Sequence, residues 1–442
     1  MTPTDAVLDF VAGTRWTDLP PKIRHQARRC LLDALGALVA GADTPVGRLM
    51  ADFAVAQFGG NEATPLVDGR RTSATGAALA NGFAGNALDI DDGYRRVKGH
   101  PGACVLPPLL AAAELAGTVS GAEFLTALVV GYEVAIRAGL IRHDRYSTYH
   151  ASGSWGAVAG AAVVGRLLGM DRDAIRHAMG AAEYHAPICP MMKGIDRPSM
   201  GKDGIGWGTL VAVSAALMAR SGFTGIDPLF DDGPEPEWID GLGSRFEMMN
   251  LYFKPFAACR WAQPAVRGVL EICAGERIAP ERVARIRVRT FDAATRLSCS
   301  PPRDTEEAQY SMAFPIAAAL LDGEVGPRQV LPPRLFDADI VSLMARVETE
   351  VDPVCEAAFP AQALAQVIVE TADGRELASG RMAAGWEPPD GLPSDGELMK
   401  KFRWLVDPAL GSEAGERLAQ TVWGLEGESD ARRLIQHSFR RE

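Results

Sequence analysis

Two stretches of this chain, residues 151–182 and 201–219, are so dense in glycine and alanine that closely packed helices are the architecture they demand. Side chains this small let helix axes approach and leave few voids. The surrounding pattern supplies the helices. Over residues 20–42, Ile23, Ala27, Cys30, Leu31, Leu35 and Leu38 recur at three-to-four spacing, which marks one buried stripe, and Gly41 is a stop signal. Ser120 and Glu123 form a capping-box pattern ahead of Phe124, Leu128, Tyr132, Ala135 and Ile136, so a helix is expected to start there. Residues 171–184 and 205–220 continue the helical pattern. The uncharged run 151–165 falls short of the roughly 20 residues that span a bilayer, so helix packing explains it and no membrane association is expected.

The texture changes after about residue 260. Pro264 fits the first turn of a helix reaching Cys273. Residues 284–290 then alternate, with Ile286 and Val288 on one face and Arg285, Arg287 and Arg289 on the other, as a half-buried strand does. Val347, Thr349 and Val351 alternate in the same way, as do Val367, Val369 and Thr371, and Asp373-Gly374 is a hairpin turn signal. Residues 304–321 read as one helix capped by Asp304. A mainly α-helical first domain (1–261 with 389–442) and a smaller α+β domain (262–388) follow, with 386–393 as the exit linker and a tail helix opening at Ser394.

The net charge of −11 argues against a nucleic-acid or anionic-membrane surface, because both need clustered Lys and Arg to displace counterions. An acidic protein that binds anions must concentrate positive charge locally. The seven cysteines are an odd number, widely spaced, with no CxxC pair. That pattern suits free thiols in a reducing cytoplasm. Residues 1–10 carry Asp5 and Asp9 and no basic region followed by an apolar stretch, so no signal peptide is expected.

Four stretches carry the chemistry-bearing residues. Residues 86–101 hold Asp89, Asp91, Asp92, Tyr94, Arg95, Arg96, Lys98 and His100 beside turn-forming glycines. They read either as a site or as helix-capping acids beside solvated cations. Asp-x-Asp-Asp is also a conceivable Mg²⁺ set, but no second carboxylate cluster completes it, so no metal is expected. Tyr146, Tyr149 and His150 precede a small-residue helix, where a histidine can work as acid or base and a helix start favours an anion. A histidine that merely satisfies backbone groups fits equally. Lys202, followed by Asp203 and Gly204, can bind a carboxylate or exchange a proton if desolvated, or can be a surface lysine. Cys259, Arg260 and Gln263 lie at the inferred domain junction, where small-molecule clefts form.

These stretches, in this order, resemble the MmgE/PrpD family, which includes 2-methylcitrate dehydratase, cis-aconitate decarboxylase and iminodisuccinate epimerase. Leu32-Asp33 through Gly36, Asn81-Gly82, Leu88 to Asp92, Gly99-His100-Pro101, 221–225, Lys254-Pro255-Phe256, Cys259-Arg260 and Ala308 to Ser311 carry the resemblance over most of the chain. It implies a helical domain with an α+β lid, a homodimer and no cofactor. It also implies that Asp89, His100, His150 and Lys202 line the active site. Gly93, Cys259, Gln263 and Phe314 depart from the residues found in relatives, which argues against cis-aconitate decarboxylation.

The resulting expectation is a lyase of the hydro-lyase type acting next to a carboxylate of a small polycarboxylic acid. His150 and His100 are the expected acid/base pair and Asp89 their orienting charge. Lys202 and Arg260 are expected to clamp carboxylates, Tyr149 and Tyr146 to be reserve proton donors, and Lys98, Cys259 and Gln263 to line the site. Proton abstraction and return by an epimerase, and a silent polycarboxylate-binding homologue, are the competing readings.

Overall fold

The computed structural model describes residues 2–231, 236–276, 278–388 and 391–439. Helices form where the sequence signals them. Pro21–Ala42 carries its apolar stripe, and Gly121–Arg145 starts at Ser120, whose hydroxyl accepts from the Glu123 backbone N–H. Ile205–Arg220 and Ser152–Leu167 are the two small-residue helices, and they touch backbone to backbone. A Cβ added to Gly208 would lie 2.6 Å from the Gly153 Cα, so glycine is required for this approach. The helix Gly121–Arg145 is long and apolar enough to cross a membrane by length and composition, but its apolar window is wholly buried among the other helices.

The smaller part is built on a mixed five-stranded sheet: β1 (Val283–Thr290), β2 (Val347–Val351), β3 (Leu364–Thr371), β4 (Glu376–Ala378) and β5 (Met382–Ala383). β1 is central, parallel to β2 and antiparallel to β3, which also pairs with β4 and β5. Ile286 and Val288 point inward and are fully buried, each contributing about 1.5–3 kcal/mol. On the opposite face Arg285 meets Glu348, Arg287 meets Glu370 and Glu376, and Arg289 meets Glu350 and Asp352. Helix Gln263–Gly275 covers the apolar face. Its Gly268 lies so near β3 that a Cβ there would come within 2.9 Å of Val367.

The single helix expected over 304–321 is two helices, Thr305–Gln309 and Ala313–Asp322. Asp304 caps the first as expected, accepting from Glu307 N–H. The chain breaks at Tyr310–Met312, where the Ser311 Oγ accepts from Phe314 N–H in the first turn of the second helix while it donates to the Ser298 carbonyl. A side-chain bond to a distant strand-side loop overrides local helical propensity here.

Tail helix Asp395–Leu410 has its full capping box at Ser394 and packs on Pro21–Ala42, with Phe402 against Gly36. Leu398, Phe402 and Val406 join the first hydrophobic core, while Leu405 joins the second together with Ala37, Ala40, Leu88 and Ile90. The two cores therefore meet along the loop that follows helix Ala74–Asn86. The expected linker 386–393 includes residues 389 and 390, which lie outside the described residues.

Candidate active site

The loop between helices Ala74–Asn86 and Pro101–Ala116 carries the densest set of buried charges in the site. Asp89 (φ 51°) and Lys98 (φ 49°) sit in the left-handed region, as do Lys202 (φ 38°) and Trp386 (φ 54°) elsewhere around the same cleft. Backbone conformations of this kind cost of order 1–3 kcal/mol and cluster at functional sites. Here they turn the loop so that His100, at the start of the second helix, faces back onto Asp89 and Asp91.

His100 is the hub. Its Nδ1 lies 3.0 Å from Asp91 Oδ2 and donates to the Asp92 carbonyl at 3.2 Å, and its Nε2 lies 3.5 Å from both Asp89 Oδ1 and Asp203 Oδ2. Burial works against a charged imidazole, but the Asp91 carboxylate, aided by Asp203, outweighs it and raises the His100 pKa. Two ring nitrogens facing three carboxylates describe an imidazolium. Asp203 shows the reverse balance: burial, and then Asp89, outweigh His100 and the lysines and raise its pKa. Its Oδ1 is buried without a hydrogen-bond partner among the described residues.

Lys254 completes the charge balance. Its buried ammonium donates to Asp89 Oδ1 at 2.8 Å and to the Asp89 carbonyl at 3.0 Å. Burial opposes its charge, but Asp89 prevails and the pKa rises. Asp89, Asp91 and His100 bring ligand atoms within 4.8 Å of one another, close enough for a metal set. The fit is poor, since a divalent ion there would face the Lys254 ammonium and need a deprotonated His100.

These groups form one wall of a cavity of roughly 100 Å³, several times the 10–15 Å³ that one water needs. Asp89, Lys98, His100, Tyr149, Cys259 and Arg260, all expected in the site, line it. So do Arg95, Asp203, Tyr252, Lys254, Tyr310 and Glu387. Four permanent cations (Arg95, Lys98, Lys254, Arg260) and a protonated His100 outnumber the carboxylates of Asp89, Asp203 and Glu387. The locally positive crevice required of an anion-binding acidic protein is therefore present.

The hydroxyls of Tyr149 and Tyr310 and the thiol of Cys259 are neutral at ordinary pH. Burial, and then the charge of Asp203, pushes the Tyr149 phenol well above its usual range, and its hydroxyl donates to the Lys98 carbonyl. Burial and Asp89 do the same to Tyr310. Burial, then Asp89, pushes the Cys259 thiol up to about 12, so it is a thiol rather than a thiolate. Arg260 lies over the Tyr252 ring at 3.7 Å and pairs through Nη2 with Glu387. Its Nη1 is buried with no hydrogen-bond partner among the described residues, a deficit of about 1–3 kcal/mol.

Four expected residues do not line the cavity. Lys202 does not clamp an anion: its three donors go to the Asn86 carbonyl (2.7 Å), the Ala87 carbonyl (2.9 Å) and Gln309 Oε1 (2.5 Å). It is a tie between segments, with a pKa lowered by burial against the pull of Asp89. His150 lies beside the site, its ring 5.5 Å from that of His143 and 5.4 Å from that of Tyr146. Burial, then His143 and Arg142, lowers its pKa to about 4, so its imidazole is neutral. Tyr146 is largely exposed. Gln263 is fully buried and donates to the Phe256 and Ala258 carbonyls, holding the turn that presents Cys259 and Arg260.

Asp203 lies within the stretches singled out by sequence and Lys254 among the residues that carry the resemblance, but nothing local distinguishes them from Lys202 or from a capping acid. Glu387 gave no signal, because its partner is 127 residues away. Among the four departures, Gly93 shapes the cavity indirectly: any Cβ there would collide with the Tyr252 ring and hydroxyl. Phe314 is buried in the second core, away from the cavity lining.

Sequence models of the MmgE/PrpD N-terminal domain and the MmgE/PrpD C-terminal domain match residues 6–242 and 256–426. The chain belongs to the MmgE/PrpD family. The cis-aconitate decarboxylase-like protein oryM of Aspergillus oryzae is 25% identical over 98% of this chain and 96% of its own length. Human cis-aconitate decarboxylase is 25% identical, covering 97% and 92% of the two chains, and that of Aspergillus terreus is 23% identical, covering 72% of each. MmgE/PrpD membership agrees with the helical part and smaller α+β part described above. The C-terminal family match extends through the tail helix Asp395–Leu410, although that helix packs on Pro21–Ala42.

Proposed function

We propose that this protein is an enzyme of the lyase type that creates a carbanion or enolate-like charge beside a carboxylate of a small di- or tricarboxylic acid. The family and its curated relatives, named cis-aconitate decarboxylases, support an activity on a small carboxylic acid. The leading reaction is elimination of water, as in 2-methylcitrate dehydratase. The observation that carries the reading is His100 Nε2 standing 3.5 Å from Asp203, which pairs a charged acid with a base of raised pKa.

Arg260 and Lys98 would fix the substrate carboxylates. The Asp203 carboxylate takes the proton from the carbon next to one of them. That electron pair becomes the new C=C bond as the C–O bond on the neighbouring carbon breaks, and the His100 imidazolium gives its proton to the departing hydroxide to form water. Asp203 is then protonated and His100 neutral, and transfer of that proton across the same gap resets both. Each well-placed acid or base is worth about 10²- to 10⁴-fold. Asp91 keeps the imidazolium charged, and Lys254 keeps Asp89 from adding a free anion to the site.

Purified protein is to be offered 2-methylcitrate, citrate, cis-aconitate and amino- and imino-dicarboxylates and followed by NMR in deuterated water. Loss of water with appearance of an alkene supports the dehydratase. Release of CO2 would point to decarboxylation, and deuterium wash-in with no other change to an epimerase. Binding without turnover would leave a silent binding homologue. Full activity in both Asp203→Asn and His100→Gln would overturn the acid/base assignment.

A further inference from the structure

Resting on the carboxylate-site reading above, we infer that Glu387 is a built-in competitor for the substrate: it holds Arg260 by the contact a substrate carboxylate would make, and so sets which acids the site admits. Glu387 and Arg95 both belong to the wall shared by the cavity and two outer clefts, so the Arg260–Glu387 pair stands where the cavity opens. Glu387 reaches only Nη2 of Arg260, and Nη1 has no hydrogen-bond partner among the described residues. A guanidinium gripped at one nitrogen is an incomplete match for a planar fork that takes a carboxylate through two parallel bonds. The face of the guanidinium is fixed over Tyr252 at 3.7 Å, so its edge remains the part open to exchange.

The backbone leading to Glu387 is anchored, so exchange at Arg260 asks only the Glu387 side chain to turn. The Trp386 carbonyl accepts from Phe253 N–H at 3.0 Å, and the Ala383 carbonyl accepts from Arg267 Nη1 at 2.8 Å. Gly385 (φ 79°) and Trp386 (φ 54°) make the turn that aims the next residue at Arg260. Rotation of the Glu387 side chain releases Arg260 without moving this strap. Arg95, which has no ion-pair partner among the described residues, lies on the same wall to receive the displaced carboxylate. An acid able to grip both terminal nitrogens of Arg260 displaces Glu387 more readily than one that offers a single oxygen.

The test uses the full chain and tricarballylate, a saturated tricarboxylate that can neither lose water nor release CO2 by an allylic route. Its Kd is measured by calorimetry for wild type, Glu387→Gln, Glu387→Asp, Arg260→Met and the Arg260→Met/Glu387→Gln pair, each checked by thermal melting. Removing the competing charge should tighten binding about tenfold in Glu387→Gln. Glu387→Asp, one methylene shorter, should give an intermediate gain, and the gain should vanish in the Arg260→Met background. Binding by Glu387→Gln and Glu387→Asp no tighter than wild type, with Arg260→Met weakened, overturns the competitor role alone. Undiminished binding by Arg260→Met, or no binding by any form, overturns the carboxylate-site reading and this inference with it.

Discussion

Asp92→Asn should make the protein more stable at pH 8 and leave it little changed near pH 4. Asp92 is fully buried behind His100, accepting from Tyr132 Oη at 2.6 Å and from Gly102 N–H at 3.0 Å. Burial, and then the neighbouring Asp33, raises its pKa from 3.8 to about 7. A raised carboxyl favours the folded state while it is protonated in both states and loses that ground as pH climbs from its unfolded to its folded pKa. At 1.36 kcal/mol per pH unit, the loss between pH 3.8 and about 7 comes to about 4 kcal/mol. Asparagine has nearly the same shape, keeps an acceptor for Gly102 and carries no charge at any pH. With an unfolding entropy of about 2.1 cal/mol/K per residue, the gain corresponds to roughly 4–5 °C in Tm for a chain this long. Melting curves of both proteins from pH 4 to pH 8 provide the assay. A difference in Tm that stays constant across that range refutes the argument, since only a titrating Asp92 makes the gap grow with pH.

Lys202→Met should cost about 2 kcal/mol, read from urea midpoints, and lower turnover, because Gln309 Oε1 loses its donor while the Asn86 and Ala87 carbonyls each fall back on one, from Asp89 N–H and Gln309 Nε2. A stable, active variant would count against its role as a tie. Gly93→Thr should lower kcat/KM at least tenfold with little change in Tm, by driving Tyr252 off Arg260; wild-type kinetics would mean that Tyr252 does not shape the cavity. The rate should fall as pH rises through the raised His100 pKa, where the imidazolium that serves as acid is lost. The stability that His100 contributes should fade as pH rises through that same pKa, and in His100→Asn that part of the pH dependence should be missing.

Much of the architecture could be read locally. The Ser120 and Ser394 boxes and the alternation of β1 each express short-range chemistry, so the elements lie where the residues signal them. The break at Ser311 could not be read, because its cause is a bond to the Ser298 carbonyl. The candidate site divides in the same way. Asp89, His100 and Arg260 stand in a cluster of polar residues visible along the chain. Whether a lysine faces a ligand or a backbone depends on partners far away. Lys202 ends on carbonyls more than a hundred residues upstream, whereas Lys254, equally ordinary in sequence, ends on Asp89.

One contact also bears on how the molecule matures. Lys401 donates to Asp33 Oδ1 at 2.5 Å and to the Ile90 carbonyl at 2.7 Å, on the loop between Asp89 and Asp91. During synthesis, the loop and its acids leave the ribosome long before this lysine does. Until the tail docks, Asp33 lacks the Lys401 ammonium and the loop lacks its anchor, so a nascent or C-terminally truncated chain keeps a loosened wall at the candidate site. The candidate site is therefore completed by a helix that lies outside the cavity.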